Sequence, residues 1–191
     1  MQHAALAFLR DEHLAIATVL YALRYLVQHQ EGADPASRLP VLHAIVDYIV
    51  CYPDRWHHPK EETQLFKRLR QRTAEADLLI ADLELEHCAG YNMIEDLRQR
   101  LQAMERGEEG AAAAFRDMAL RYAQFEWSHL RREEDLLFPL AEAHLTPEDW
   151  AAIHQAFREN DNPLFGLKPR DQAEQLYQRI LELAPAPIGR R

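Results

Sequence analysis

Glycine is scarce in this chain, with six residues in 191. Sheet-rich and loop-rich folds need more, because tight turns and bulges draw on glycine for positive φ. Cysteine is scarcer still. Cys51 and Cys88 stand alone, too few for a disulfide framework, and free thiols point to a reduced, cytoplasmic compartment. Long apolar runs are missing, so nothing reads as a membrane span, and the opening MQHAALAFLRDEH meets charge too early for a secretory leader. Cationic charge is in deficit: 22 Lys and Arg stand against 31 Asp and Glu, for a net charge of −9. That balance argues against nucleic acid or an anionic membrane as a partner.

Ala, Leu, Glu and Arg, all good helix formers, are plentiful. With 48% hydrophobic residues the chain can bury one sizeable core. Apolar residues recur three and four apart, the period of an amphipathic helix. The first such segment covers 3–30 along Leu6, Leu9, Ile16, Leu20, Leu23 and Val27, and stops at the breaker EGADP. The second covers 39–72 and contains Pro53 and Pro59, which are expected to kink or split it. A third runs from an N-cap at Thr73 to Arg106 along Ile80, Leu83, Ile94, Leu97, Leu101 and Met104. A fourth runs from Ala111 to His144 along Met118, Tyr122, Phe125, Leu136 and Leu140. Four long helices with short links predict an all-α, up-down-up-down four-helix bundle over residues 1–145. TPEDWAAIHQAF, with Thr146 as N-cap and Pro147 at N1, the turn NDNPLFG and a last helix near 171–183 follow. They predict a helical extension over 146–184 packing on the bundle, with a disordered tail over 185–191.

Three seam positions break the apolar rhythm: 13, 87 and 129 are histidines. An imidazole in a dry core is costly without a partner. A fourth histidine lies in a duplicated string. WHHPKEETQLF at 56–66 and HLRREEDLLF at 129–138 share His-x-x-x-Glu-Glu-x-x-Leu-Phe. Glu12-His13 likewise matches Glu86-His87, and the separations to the longer motif are 44 and 42 residues. The chain therefore reads as two similar helical hairpins, each supplying one lone His and one His-x-x-x-Glu pair.

Side chains four apart share a helix face, so His13, His57, Glu61, His87, His129 and Glu133 can converge at one level of a bundle. Four imidazoles and two carboxylates suit a pair of borderline cations, and a carboxylate has two oxygens with which to bridge them. The first copy leaves a second register open, because His58 and Glu62 form another i,i+4 pair beside Pro59. Matching Leu65-Phe66 to Leu137-Phe138 favours His57 and Glu61. In that register Glu62 and Glu134 either face solvent or hold an imidazole N–H.

This order of motifs resembles the hemerythrin-like, HHE cation-binding family over roughly residues 5–145. The resemblance implies a four-helix bundle around a non-haem, carboxylate-bridged di-iron centre. His13 and His57 would serve one iron, His87 and His129 the other, with Glu61 and Glu133 bridging. Manganese and zinc also suit such donors. The implied ligands are dioxygen, nitric oxide or peroxide, and the implied work is binding or sensing them, or handling iron under such stress. One departure stands out. Oxygen-carrying relatives place a fifth histidine one turn after the third, where this chain has Tyr91. Either tyrosinate is a ligand there, or water takes the place, or a coordination position stays open. Gly90 in the same seam would leave a pocket for a diatomic ligand or allow close helix packing. Two other readings stay open. Glu84-x-x-His87 and Glu126-x-x-His129 also suit a ferritin-like di-iron oxidase or storage protein. Alternatively, the metal stabilises a sensor or interaction module without turnover, whose C-terminal helices cap the bundle or make a homodimer contact.

Overall fold

The three–four apolar rhythm produces helices throughout. In the computed structural model, which describes residues 4–29, 35–158 and 169–184, every regular element is helical. The first long helix is Ala4–Gln28. The second is a helical run over 35–72, made of Pro35–Cys51, Pro53–His57, His58–Lys60, Glu61–Phe66 and Lys67–Arg72. The third is Asp77–Glu105, and the fourth is a run over 111–144, made of Ala111–Arg132, Glu133–Leu137 and Phe138–His144. Two shorter helices follow, Pro147–Arg158 and Pro169–Leu183. The expected breaker at 31–34, the turn at 160–166 and the tail at 185–191 lie outside the described residues. No helix among the described residues is long and apolar enough to cross a membrane.

Two local expectations are corrected. Thr73 does not cap the third helix; it ends the second run in extended conformation (φ −153°, ψ 145°). Its hydroxyl accepts the Glu75 N–H at 3.1 Å, which makes a turn and delays the next helix to Asp77. The second run is divided where expected: its regular α-helix ends at Cys51, just before Tyr52 and Pro53, and the backbone widens into π-helical turns over Pro53–His57 and Glu61–Phe66 on either side of Pro59. The His57 N–H reaches back five residues to the Tyr52 carbonyl at 3.1 Å, and the His58 N–H reaches Pro53 in the same way. A proline crowds the carbonyl four residues before it. For Pro59 and Pro139 that carbonyl belongs to Arg55 and Asp135, each inside a π turn. The second correction follows from the turn before Pro139. The π turn Glu133–Leu137 shifts the buried face by one residue, so Leu136 is 51% exposed and Leu137 is buried.

The apolar residues form two clusters, not one. Leu6, Leu9, Leu65, Phe66, Ile80, Leu83, Leu137 and Phe138 belong to one, which the helix Pro147–Arg158 covers with Trp150, Ile153 and Phe157. Ile16, Leu20, Ile45, Ile49, Ile94, Leu97, Phe115 and Met118 belong to the other, joined by Ile180 of the last helix. Each long helix contributes to both clusters; the first packs on the second and fourth, the third on the second and fourth, and the ends of the second and fourth runs also meet. Between the clusters each helix carries polar residues. On the first, His13 lies between Leu9 and Ile16; on the third, His87 lies between Leu83 and Ile94. That layer is where the chemistry sits.

Candidate metal centre

Seven polar side chains from the four long helices fill the layer: His13, His57, His58, Glu61, His87, His129 and Glu133, none more than 7% exposed. Consecutive residues on an α-helix point about 100° apart; beside the π turn ending at His57, both His57 and His58 are buried in the layer, and their rings lie 5.6 Å apart.

The seven residues make two overlapping groups of four. His13, His57, Glu61 and Glu133 form one, and His58, Glu61, His87 and His129 the other; within each, the ligand atoms lie within 4.8 Å of one another. Donors sharing one ion at ~2.1 Å each lie no more than roughly 4.2 Å apart, and the closest pairs meet this. Glu61 Oε1 is 3.3 Å from His57 Nε2 and 3.6 Å from His13 Nε2, while its Oε2 is 3.8 Å from His87 Nε2. Glu133 Oε2 is 3.4 Å from His13 Nε2, and its Oε1 is 3.5 Å from His129 Nε2. Each carboxylate thus offers one oxygen to either group, the disposition a bridge requires.

The donor atoms themselves test whether metal ions fit. His13 Nε2, His57 Nε2, His58 Nε2 and all four carboxylate oxygens of Glu61 and Glu133 are buried with no hydrogen-bond partner. Buried polar atoms are normally satisfied. A dense set of unsatisfied nitrogen and oxygen donors at this spacing suits cations and little else.

Outside these donors runs a ring of carboxylates. Glu12 of the first helix accepts from His57 Nδ1 of the second at 2.9 Å, and Glu62 of the second from His87 Nδ1 of the third at 2.7 Å. Glu86 of the third accepts from His129 Nδ1 of the fourth at 2.9 Å, and Glu134 of the fourth from His13 Nδ1 of the first at 3.0 Å. Four helices are laced in a closed circle, and each bond turns an Nε2 inward. Tyr52 backs this ring by donating to Glu12, and Arg132 by donating to Glu86. His58 is the exception: its Nδ1 faces Asp54 Oδ1 at 3.9 Å, beyond hydrogen-bond reach, and its ring stacks on His87 with centroids 4.2 Å apart.

The charges follow from this packing. Burial pushes His13 down, but the bond to Glu134 and the charges of Glu61 and Glu133 outweigh it and hold it at about 10. His87 is held at about 10 in the same way, burial being overcome by Glu133, Glu62 and Glu61. Burial pushes Glu133 up, yet His129, His87 and His13 draw it down to about 2. His58 is driven well below the usual histidine range by burial and then by the neighbouring imidazoles. Without metal, His13 and His87 are therefore favoured as imidazolium beside buried carboxylates, and His58 as a neutral imidazole.

His13, His57, Glu61, His87, His129 and Glu133 are brought together here. His58 joins them in addition to His57, not as its replacement, while Glu62 lies in the outer ring. Tyr91 is 60% exposed and belongs to neither group. The space beside Gly90 is not free for a diatomic ligand, since a Cβ there would lie 2.8 Å from Glu126 Oε1. Glu84 turns outward to Arg70, with both oxygens bonded at 2.6 and 2.9 Å, so only one of the two Glu-x-x-His strings brings its glutamate to the layer. The outer roles of Glu12 and Glu86 were missed, although the repeated Glu-His dipeptide carried that signal. Asp54 had no sequence signal at all.

A family model described as Hemerythrin HHE cation binding domain matches residues 4–141. No curated protein matches, and no solved structure does.

Proposed function

The chain belongs to the hemerythrin HHE cation-binding family, and from that premise we propose that it is a non-haem di-iron protein that binds or senses dioxygen, nitric oxide or peroxide. The observation that carries this reading is the convergence, between two apolar clusters, of imidazole nitrogens and carboxylate oxygens with no hydrogen-bond partners. His13 and His57 hold one iron, while His58, His87 and His129 hold the other. Glu61 and Glu133, each with one oxygen toward either side, would hold both ions together. His58 then supplies, from the second helix, the fifth imidazole that Tyr91 does not. The four long helices form an up-down-up-down bundle. In support, the first and third enter from the Leu9 and Leu83 cluster, and the second and fourth from the Ile45 and Phe115 cluster.

When bound, the iron pair supplies a redox-active centre for small oxidants and diatomic gases. The chain's own part is separable. The outer carboxylates fix each imidazole's tautomer and direction, as hydrogen bonds to a ligand's remote nitrogen do. The flanking apolar clusters keep bulk water out, which strengthens every electrostatic interaction inside. Metal analysis of the purified protein tests the reading. Two irons per chain are expected, falling to less than one in the Glu61→Ala, Glu133→Ala double variant. Retention of both irons by that variant would remove the bridging assignment.

A further inference from the structure

Outside the metal layer, three helices turn rings and acids toward one cleft. Residues three or four apart share a helix face. On that basis the first helix presents Phe8, Asp11 and Glu12, the second Tyr48 and Tyr52, and the last Glu174 and Tyr177. The cleft they line holds about 430 Å³, a size usual for small-molecule sites. Its rings stand close: the Tyr48 centroid is 5.8 Å from that of Tyr52 and 6.3 Å from that of Tyr177. Aromatic faces and carboxylates both attract positive charge, and no Lys or Arg among the described residues lines the space.

Two features say what kind of cation fits. Tyr48 is 2% exposed, and its hydroxyl has no hydrogen-bond partner among the described residues. Buried polar atoms are normally satisfied, so this one invites a polar partner in the cleft. Burial and then the charge of Glu12 push the Tyr48 phenol up, which marks the inner end as negative. The carboxylates, however, are set apart. Among the described residues only the two groups in the metal layer bring three or more ligand atoms within 4.8 Å of one another. The cleft is therefore shaped for an extended cation with an apolar body, not for a bare metal ion. We propose that it binds a small organic ammonium ion, with the apolar body against the four rings and the N–H groups on Glu12 and the Tyr48 hydroxyl. Asp11 and Glu174, both exposed and in no ion pair among the described residues, draw the cation in.

Glu12 ties the cleft to the centre, since it also accepts from His57 Nδ1 at 2.9 Å. An ammonium ion drawing on Glu12 loosens its hold on His57. Occupancy then lowers metal affinity, and metal loading lowers ammonium affinity by the same factor. This coupling rests on the metal-binding reading of the centre; the cleft does not.

Calorimetric titration of the full chain with n-hexylammonium at pH 7 tests the site, with hexanoate as the probe of opposite charge. One hexylammonium per chain is expected, and no heat from hexanoate. Tyr48→Phe keeps the ring but removes the hydroxyl, and should weaken binding about tenfold. Tyr177→Leu removes a ring face, and should weaken it by about threefold to thirtyfold. Glu84→Gln, on the Arg70 surface pair, should leave it unchanged. Hexylammonium binding that neither cleft variant weakens, or hexanoate binding as tightly, would overturn the site. Should Tyr177→Leu fail to fold, Tyr48→Phe carries the test alone. Chelator competition for Co²⁺ with and without saturating hexylammonium reads the coupling, as a fall in Co²⁺ affinity of about tenfold or less. Unchanged Co²⁺ affinity would remove the coupling and leave the cleft. Hexylammonium binding by a protein that takes up no Co²⁺ would sink the metal reading instead.

Discussion

The carboxylate ring makes a graded prediction about metal affinity. Glu12 accepts two bonds, from Tyr52 and from His57 Nδ1, and its side chain is 10% exposed. Glu→Gln at this position keeps the volume but leaves one acceptor for two donors. One of the two donors then loses its carboxylate acceptor, at a cost of about 1–3 kcal/mol. Glu134 and Glu62 differ. Each holds its histidine through one bond, and their side chains are 40% and 39% exposed. An amide oxygen takes over that single bond, and water screens the lost charge. Removing the outer partner of a metal-bound histidine lowers affinity by roughly 10–100-fold. Glu12→Gln is therefore expected near the top of that range, about 2–3 kcal/mol at 1.4 kcal/mol per decade. Glu62→Gln and Glu134→Gln are expected at about tenfold or less. Glu86, with a side chain 23% exposed and Arg132 also bonded to it, falls between. Competition of Co²⁺ between metal-free protein and a chelator measures all four. Four equal losses, or a larger loss at Glu134 than at Glu12, would refute the reasoning that burial and bond count set each carboxylate's contribution.

Three further outcomes are expected. Tyr91→Phe leaves metal content and the optical spectrum unchanged, because the ring is 60% exposed; a phenolate-to-iron band lost in that variant would contradict this. Loading the metal-free protein at pH 7 releases protons, since His13 and His87 are held at about 10 and must become neutral to act as ligands. The same raised values stabilise the metal-free fold fully below the ordinary 6.5, and that contribution is lost as pH rises through about 10. A pH-indicator dye during loading, and melting curves at pH 7 and 10.5 with and without metal, check both statements. An alkaline loss of stability confined to the loaded protein would refute them. Asp149 is drawn down to about 2, first by Arg72, whose guanidinium donates to it at 2.7 and 3.1 Å. A depressed carboxyl stabilises above its ordinary 3.8 and ceases to do so as pH falls through about 2. Asp149→Asn should therefore raise hydrogen exchange within Pro147–Arg158 at pH 7 and differ little from wild type at pH 2.

The helices and most of the inner donors were legible because each rests on spacing. Leu9, His13 and Ile16 interrupt and resume one apolar stripe, and His129-x-x-x-Glu133 places two donors on one face whatever surrounds them. The outer ring was only half legible. Which carboxylate meets which imidazole depends on neighbouring helices, so Glu134 holding His13, 121 residues away, follows from packing. His58 shows where spacing fails. On a regular helix His57 and His58 diverge by about 100°, so a one-register reading must choose between them. The structure buries both in the layer, beside a π turn in which Pro59 crowds the Arg55 carbonyl four residues before it. In the second copy Pro139 likewise lies four residues beyond Asp135, and the buried leucine moves from 136 to 137; the matching π turn of the first copy, Glu61–Phe66, forms without a following proline. At these two prolines the departure from helical periodicity coincides with a feature written in the chain. The Arg55–Pro59 and Asp135–Pro139 spacings mark two of the three π turns among the described residues, and at the first of them a fifth imidazole, His58, is buried in the layer.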